Sequence, residues 1–160
     1  MNDKLKGIIK LIKTELEKEP AAIIIGNLAD GIQSKVFSDD LNIGEYYEFL
    51  RECNGARCGA IDLWSFEELL KNQYRVSEIP GGKDNWVCIG QILYEPTVIN
   101  KADGNVYRFY QGHETNISAD CFGNFDEFFM RYVFGDKYAK IIPDADEEEW
   151  YQFLKKIGLV

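Results

Sequence analysis

The chain has 160 residues, 46% hydrophobic and 14% aromatic, enough for one domain with a core that needs no disulfide or metal staple. Its formal net charge of −9 argues against nucleic acid or an anionic membrane as a direct ligand, since both require clustered Lys and Arg. It suits a basic protein partner, drawn in by electrostatic steering, or serves solubility alone. Four cysteines (Cys53, Cys58, Cys88, Cys121) fit free thiols in a reducing compartment. No segment approaches the ~20 apolar residues of a membrane span. Lys6, Lys10, Lys13 and Glu15 interrupt the apolar run that a signal peptide needs, so a cytoplasmic location is expected.

Leu5, Ile8, Ile9, Ile12 and Leu16 recur at three- and four-residue steps, which predicts an amphipathic helix over 3–19, capped by Asn2 or Asp3 and stopped by Pro20. Residues 21–40 carry the β-branched run Ile23, Ile24, Ile25 and read as irregular with one short extended piece. A second helix over 41–53 has Tyr46, Tyr47, Phe49 and Leu50 on its apolar side and ends at Asn54-Gly55. Gly59 to Trp64 alternates as a short strand. Ser65-Phe66-Glu67-Glu68 fits a capping box opening a short helix, which fades before the turn-rich Ile79-Pro80-Gly81-Gly82.

Three β-prone runs follow: Trp86 to Gly90, Thr97 to Ile99 and Val106 to Tyr110. Asp103-Gly104 between the last two is a strong hairpin signal. Helical spacing returns over 122–134. Near the end, Asp144 with Glu147 fits a second capping box before a helix over 145–157, with Trp150, Tyr151, Phe153, Leu154 and Ile157 as its apolar residues. No repeat, low-complexity tract or linker divides the chain, so residues 1–160 read as one domain.

Reactive chemistry is sparse in this pattern. The one histidine, His113, lies in a polar turn-like stretch, where a surface role is the plainer one. Without a C-x-x-C pair, structural zinc is not expected. The acidic run from Asp144 to Glu149 lacks the glycine and distal glutamate of an EF-hand loop. Gly81-Gly82-Lys83-Asp84 is not a phosphate-binding loop. No cofactor, metal or catalytic residue is therefore expected, and an enzyme is the least favoured class.

The order of these signals carries a resemblance. The helix Tyr46 to Cys53 with its Asn54-Gly55 ending, the strand Gly59 to Trp64, the helix Ser65 to Leu70, the strand Trp86 to Gly90, the Asp-Gly turn before Tyr107 and the aromatic helix Phe122 to Phe129 together resemble a SUKH domain over residues 40–134. The chain departs from the family pattern at Asp39-Asp40-Leu41-Asn42, where a Leu-Pro pair is usual, and at Asn100, where an acidic residue is usual. Proteins of the SUKH superfamily are mostly bacterial immunity proteins that bind and block toxins encoded beside them. The resemblance implies an α+β fold with helices around a central, largely antiparallel sheet. It also implies a cognate toxin domain, such as a basic nuclease, as the partner. The aromatic-rich composition is compatible with a monomer or a homodimer.

Neutralisation by binding needs rigid aromatic anchors and complementary charge. Trp64, Tyr94 and Glu95 fall at strand ends or connections, and Asp144, Asp146 and Glu147 supply negative charge, so these six are the candidate partner-binding residues. Core packing is the plainer role for the aromatics, and a solvated helix start for the carboxylates. An adaptor that binds an endogenous cytoplasmic partner would use the same features.

Overall fold

The computed structural model describes residues 1–33, 41, 43–111 and 118–160. His113 and the segments 34–40 and 42 lie outside the described residues. The fold is α+β: a seven-stranded sheet, in the order β1-β2-β3-β4-β5-β6-β7 with every neighbouring pair antiparallel, is packed by helices. In chain order the elements are α1 (Asp3–Leu16), α2 (Ala22–Ile25), β1 (Gly26–Leu28), α3 (Gly44–Glu52), β2 (Ala56–Cys58), β3 (Ile61–Leu63), α4 (Phe66–Lys71), a 3₁₀ turn (Gln73–Val76) and α5 (Gly82–Asn85). They continue with β4 (Trp86–Ile92), β5 (Glu95–Asn100), β6 (Val106–Phe109), β7 (Ala119–Cys121), α6 (Phe125–Glu127), a π-helical turn (Phe128–Val133), α7 (Tyr138–Ile141), a second 3₁₀ turn (Ala145–Glu147) and α8 (Glu149–Lys156).

α1 forms as its spacing predicts: Asn2 accepts a hydrogen bond from the Leu5 amide, and Leu5, Ile9, Ile12 and Leu16 are buried. The helix ends at Leu16, before Pro20 could clash with its last turn. The Ser65 capping box forms in full, with the Ser65 hydroxyl accepting from the Glu68 amide and the Glu68 carboxylate accepting from the Ser65 amide. The second predicted box does not form. Asp144 adopts a left-handed conformation (φ +52°) with no side-chain cap, a 3₁₀ turn follows, and extended Glu148 precedes α8.

Helices α1, α3, α8 and the aromatic segment after β7 cover one face of the sheet. Phe49, Phe125 and Phe129 meet there with ring centroids 4.5–6.3 Å apart. The π turn explains how this segment buries so many rings: the Phe134 amide reaches the Phe129 carbonyl five residues back, and the wider turn aims Phe128, Phe129, Val133 and Phe134 inward. Over the opposite face, Val76 and Ile79 pack on Cys88, Val98 and Phe109, so the central strands are buried on both sides. Tyr46 joins the layers: its hydroxyl contacts the carbonyls of Trp64 (2.6 Å) and Ile89 (2.9 Å).

Burial pushes the Cys53 thiol up to about 12 and raises those of Cys58 and Cys88, so all three stay protonated at neutral pH. In the unfolded chain a thiol ionises near ~8.5. Above that pH the unfolded state has released protons that the folded state still holds, so stability falls as pH rises toward the folded values. The melting temperature is expected to drop between pH 8 and pH 10.5. A flat profile by calorimetry over that range would contradict the burial of these thiols.

Candidate functional site

Strands β1 to β3 and the Gln91 end of β4 leave one sheet face partly open. The register places Asn27, Arg57, Asp62 and Gln91 side by side across β1 to β4. Alternation along each strand turns this polar row away from the helical core. The Gln91 amide donates to Asp62 Oδ2 (2.8 Å) and accepts from Arg75 Nη1 (2.9 Å), while Arg75 Nη2 donates to the Tyr94 carbonyl (2.5 Å). One hydrogen-bonded chain thus runs from the floor of this face to the β4–β5 turn.

A groove of about 710 Å³ extends from this floor to the start of α8. Its lining includes five carboxylates, Asp62, Asp144, Glu147, Glu148 and Glu149, against one basic residue, Arg57. Glu148 is anchored where the groove meets the sheet: the Tyr138 hydroxyl donates to Glu148 Oε2 (3.0 Å) and accepts from the Ala60 amide (3.1 Å). Burial raises the Tyr138 hydroxyl's pKa, which keeps it a donor. This joint depends on Gly59 (φ +61°), where an added Cβ would lie 2.7 Å from Glu148 Oε2 and 2.9 Å from the Trp150 Cβ. Gly59→Ala is expected to lose about 1–3 kcal/mol in urea unfolding. A neutral result would mean that the Gly59–Ala60 turn is not held against Tyr138 and Glu148.

Backbone strain is concentrated in the groove. Among the described residues, the non-glycine positions with positive φ are Leu93 (50°), Tyr94 (69°) and Asp144 (52°), and all three line it. Left-handed backbone costs an L-residue roughly 1–2 kcal/mol. Leu93-Tyr94 is a two-residue hairpin turn of the kind normally made by Asn-Gly. It presents a tyrosine ring that is 82% exposed. Replacing the pair by Asn-Gly is expected to raise stability by about 1–2 kcal/mol. A loss of stability in thermal unfolding would contradict the strain assignment.

The groove brings together Tyr94, Asp144 and Glu147 from the six candidate residues. Trp64 is half-buried elsewhere, its indole N–H on Cys88 Sγ (3.5 Å), and it lines a neighbouring cleft with Tyr74, Arg75, Gln91 and Tyr94. Glu95 caps the β6 end by accepting from the Gln111 amide (2.7 Å). Asp146 pairs with Lys155 on α8 and lies outside the groove lining. Sequence reasoning missed Ile24, Arg57, Asp62, Gln91 and Leu93, which only the strand register and the turns bring to the groove.

No protein-family model matches the chain, and no curated protein matches it in sequence. The groove's chemistry therefore rests on its own residues. Among the described residues, no cluster of three or more His, Cys, Asp or Glu side chains is placed to hold a metal ion. None of their helices is long and apolar enough to cross a membrane.

Proposed function

We propose that this chain is a protein-binding domain that neutralises a basic toxin by covering its active face, in the manner of the SUKH immunity proteins it resembles. The backbone carries this reading: three left-handed non-glycine residues surround one acidic groove. Such strain persists only where the surrounding structure enforces it, and it concentrates at functional sites. A rigid turn that displays Tyr94 gives an anchor with little ordering cost on binding. The carboxylates beside it complement the basic surface with which a nuclease grips phosphates.

The test compares two affinity columns charged with lysate of the native host at moderate salt. One carries the wild-type chain, the other the Asp144→Lys, Glu147→Lys, Glu149→Lys variant. A basic domain retained by the wild type and lost on the variant, and inhibited by the wild type in vitro, supports the proposal. Equal retention on both columns, or retention without inhibition, contradicts it. The second of these results would favour an adaptor.

A further inference from the structure

Among the described residues, four of the seven large hydrophobic side chains that remain exposed lie at or beside this groove. Ile23 and Ile24 on α2 are 84% and 64% exposed, Leu93 and Tyr94 39% and 82%. Ile24, Leu93 and Tyr94 line the groove directly, with Ile23 next in sequence. Neither pair is explained by packing: Ile23 and Ile24 contribute nothing to the buried core, and the turn that displays Leu93 and Tyr94 is strained.

The sheet register gives their spacing. Gly26, Cys58, Ile61 and Ile92 are in line across β1 to β4. Consequently α2, which enters β1 at Gly26, the Gly59–Ala60 turn and the Leu93–Tyr94 turn all emerge at the same end of the sheet. Three interstrand steps of ~4.8 Å, about 14 Å, separate β1, at the end of α2, from β4, whose end leads into Leu93. Between them stands the Gly59–Ala60 turn, with Glu148 held against it through Tyr138. The sheet end therefore presents an apolar rim, an acidic centre and a second apolar rim.

We infer that the groove receives a cationic segment of the protein partner carrying two apolar side chains about 14 Å apart, one on Ile23 and Ile24 and the other on Leu93 and Tyr94, with Lys or Arg between them facing Glu148 and Asp144. In extended chain that spacing corresponds to apolar residues four positions apart, at ~3.4 Å per residue. The two rims supply the desolvated anchors, and the acidic centre selects the sign of charge between them. This occupant presupposes the capture proposed above and adds its chemistry.

The test pans a random dodecapeptide display library on the full-length chain and measures synthetic versions of the selected peptides by calorimetry. The comparison variants are Ile23→Ser with Ile24→Ser, and Leu93→Ser. All three positions are exposed, and unchanged thermal unfolding verifies the folded state. The expected peptides carry Lys or Arg between two apolar residues four apart, and each rim variant binds them roughly tenfold more weakly. Selected peptides without that basic enrichment, peptides that bind both variants as tightly as the wild type, or a selection yielding no groove-dependent peptide would overturn the two-rim occupant. The capture reading is judged separately: a host partner lost on the charge-reversed column but bound normally by both rim variants leaves capture intact and removes the two-rim occupant.

Discussion

Trp150→Ala is expected to lower unfolding stability by about 3–5 kcal/mol, the upper end of what a single truncation in a packed core costs. The indole is fully buried between Phe134 and Phe153, with centroids 6.2 and 5.7 Å away. Its N–H donates to the Val133 carbonyl (3.0 Å), which the truncation leaves without that partner in the core. The ring also lies on the first residue of the edge strand β1: a Cβ on Gly26 would approach it to 2.8 Å. Because α8 holds the groove's acidic wall against the sheet through this ring, the variant should lose partner binding along with stability. Urea unfolding checks the first point, and a cost below about 1 kcal/mol would show that the surroundings collapse into the space instead.

Reversing the groove's charge has the second large effect. Asp144→Lys, Glu147→Lys and Glu149→Lys together should slow association with the captured partner by about tenfold or more at low salt and flatten its dependence on ionic strength. Fold stability should change little, since these side chains are exposed. Asp146→Lys is the internal control: its carboxylate is taken by Lys155 outside the groove, so the rate should move far less. Stopped-flow measurements separate the two. Equal slowing by Asp146→Lys would mean that net charge, and not the groove, steers the encounter.

Much of the architecture was legible wherever a local rule acts alone. α1 follows from helical periodicity, α4 from a capping box that forms completely, and the β5–β6 hairpin from Asp-Gly. The short extended piece expected within 21–40 is β1, whereas β2 and β7 escaped because Ala56-Arg57-Cys58 and Ala119-Asp120-Cys121 hold no β-branched or aromatic residue. Ile23 to Ile25 look like a strand by composition, yet they form a short helix that displays two of them. The β4–β5 turn carries no turn-forming residue, and tertiary contacts from Arg75 hold Leu93 and Tyr94 in left-handed backbone. Likewise Asp144, expected to cap α8 by its side chain, has backbone that a cap does not use.

The candidate site was legible only in its exposed tip and charge. Tyr94, Asp144 and Glu147 are conspicuous in sequence as an aromatic in a connection and an acidic run before a helix. Asp62 and Gln91 lie twenty-nine positions apart and meet only because β3 and β4 pair in one register. No local pattern could have joined them to Glu148, which reaches the sheet through Tyr138.

Neutralisation of a basic partner, as proposed, requires this groove to occupy that partner's active face. The most direct measurement is a titration of the captured partner's activity with the wild-type chain and with the charge-reversed variant. Complete inhibition at one equivalent of wild type, and none at one equivalent of variant, is the predicted result. Undiminished activity of a partner shown to be fully bound would contradict neutralisation, and equal inhibition by both proteins would place the interface elsewhere on the molecule.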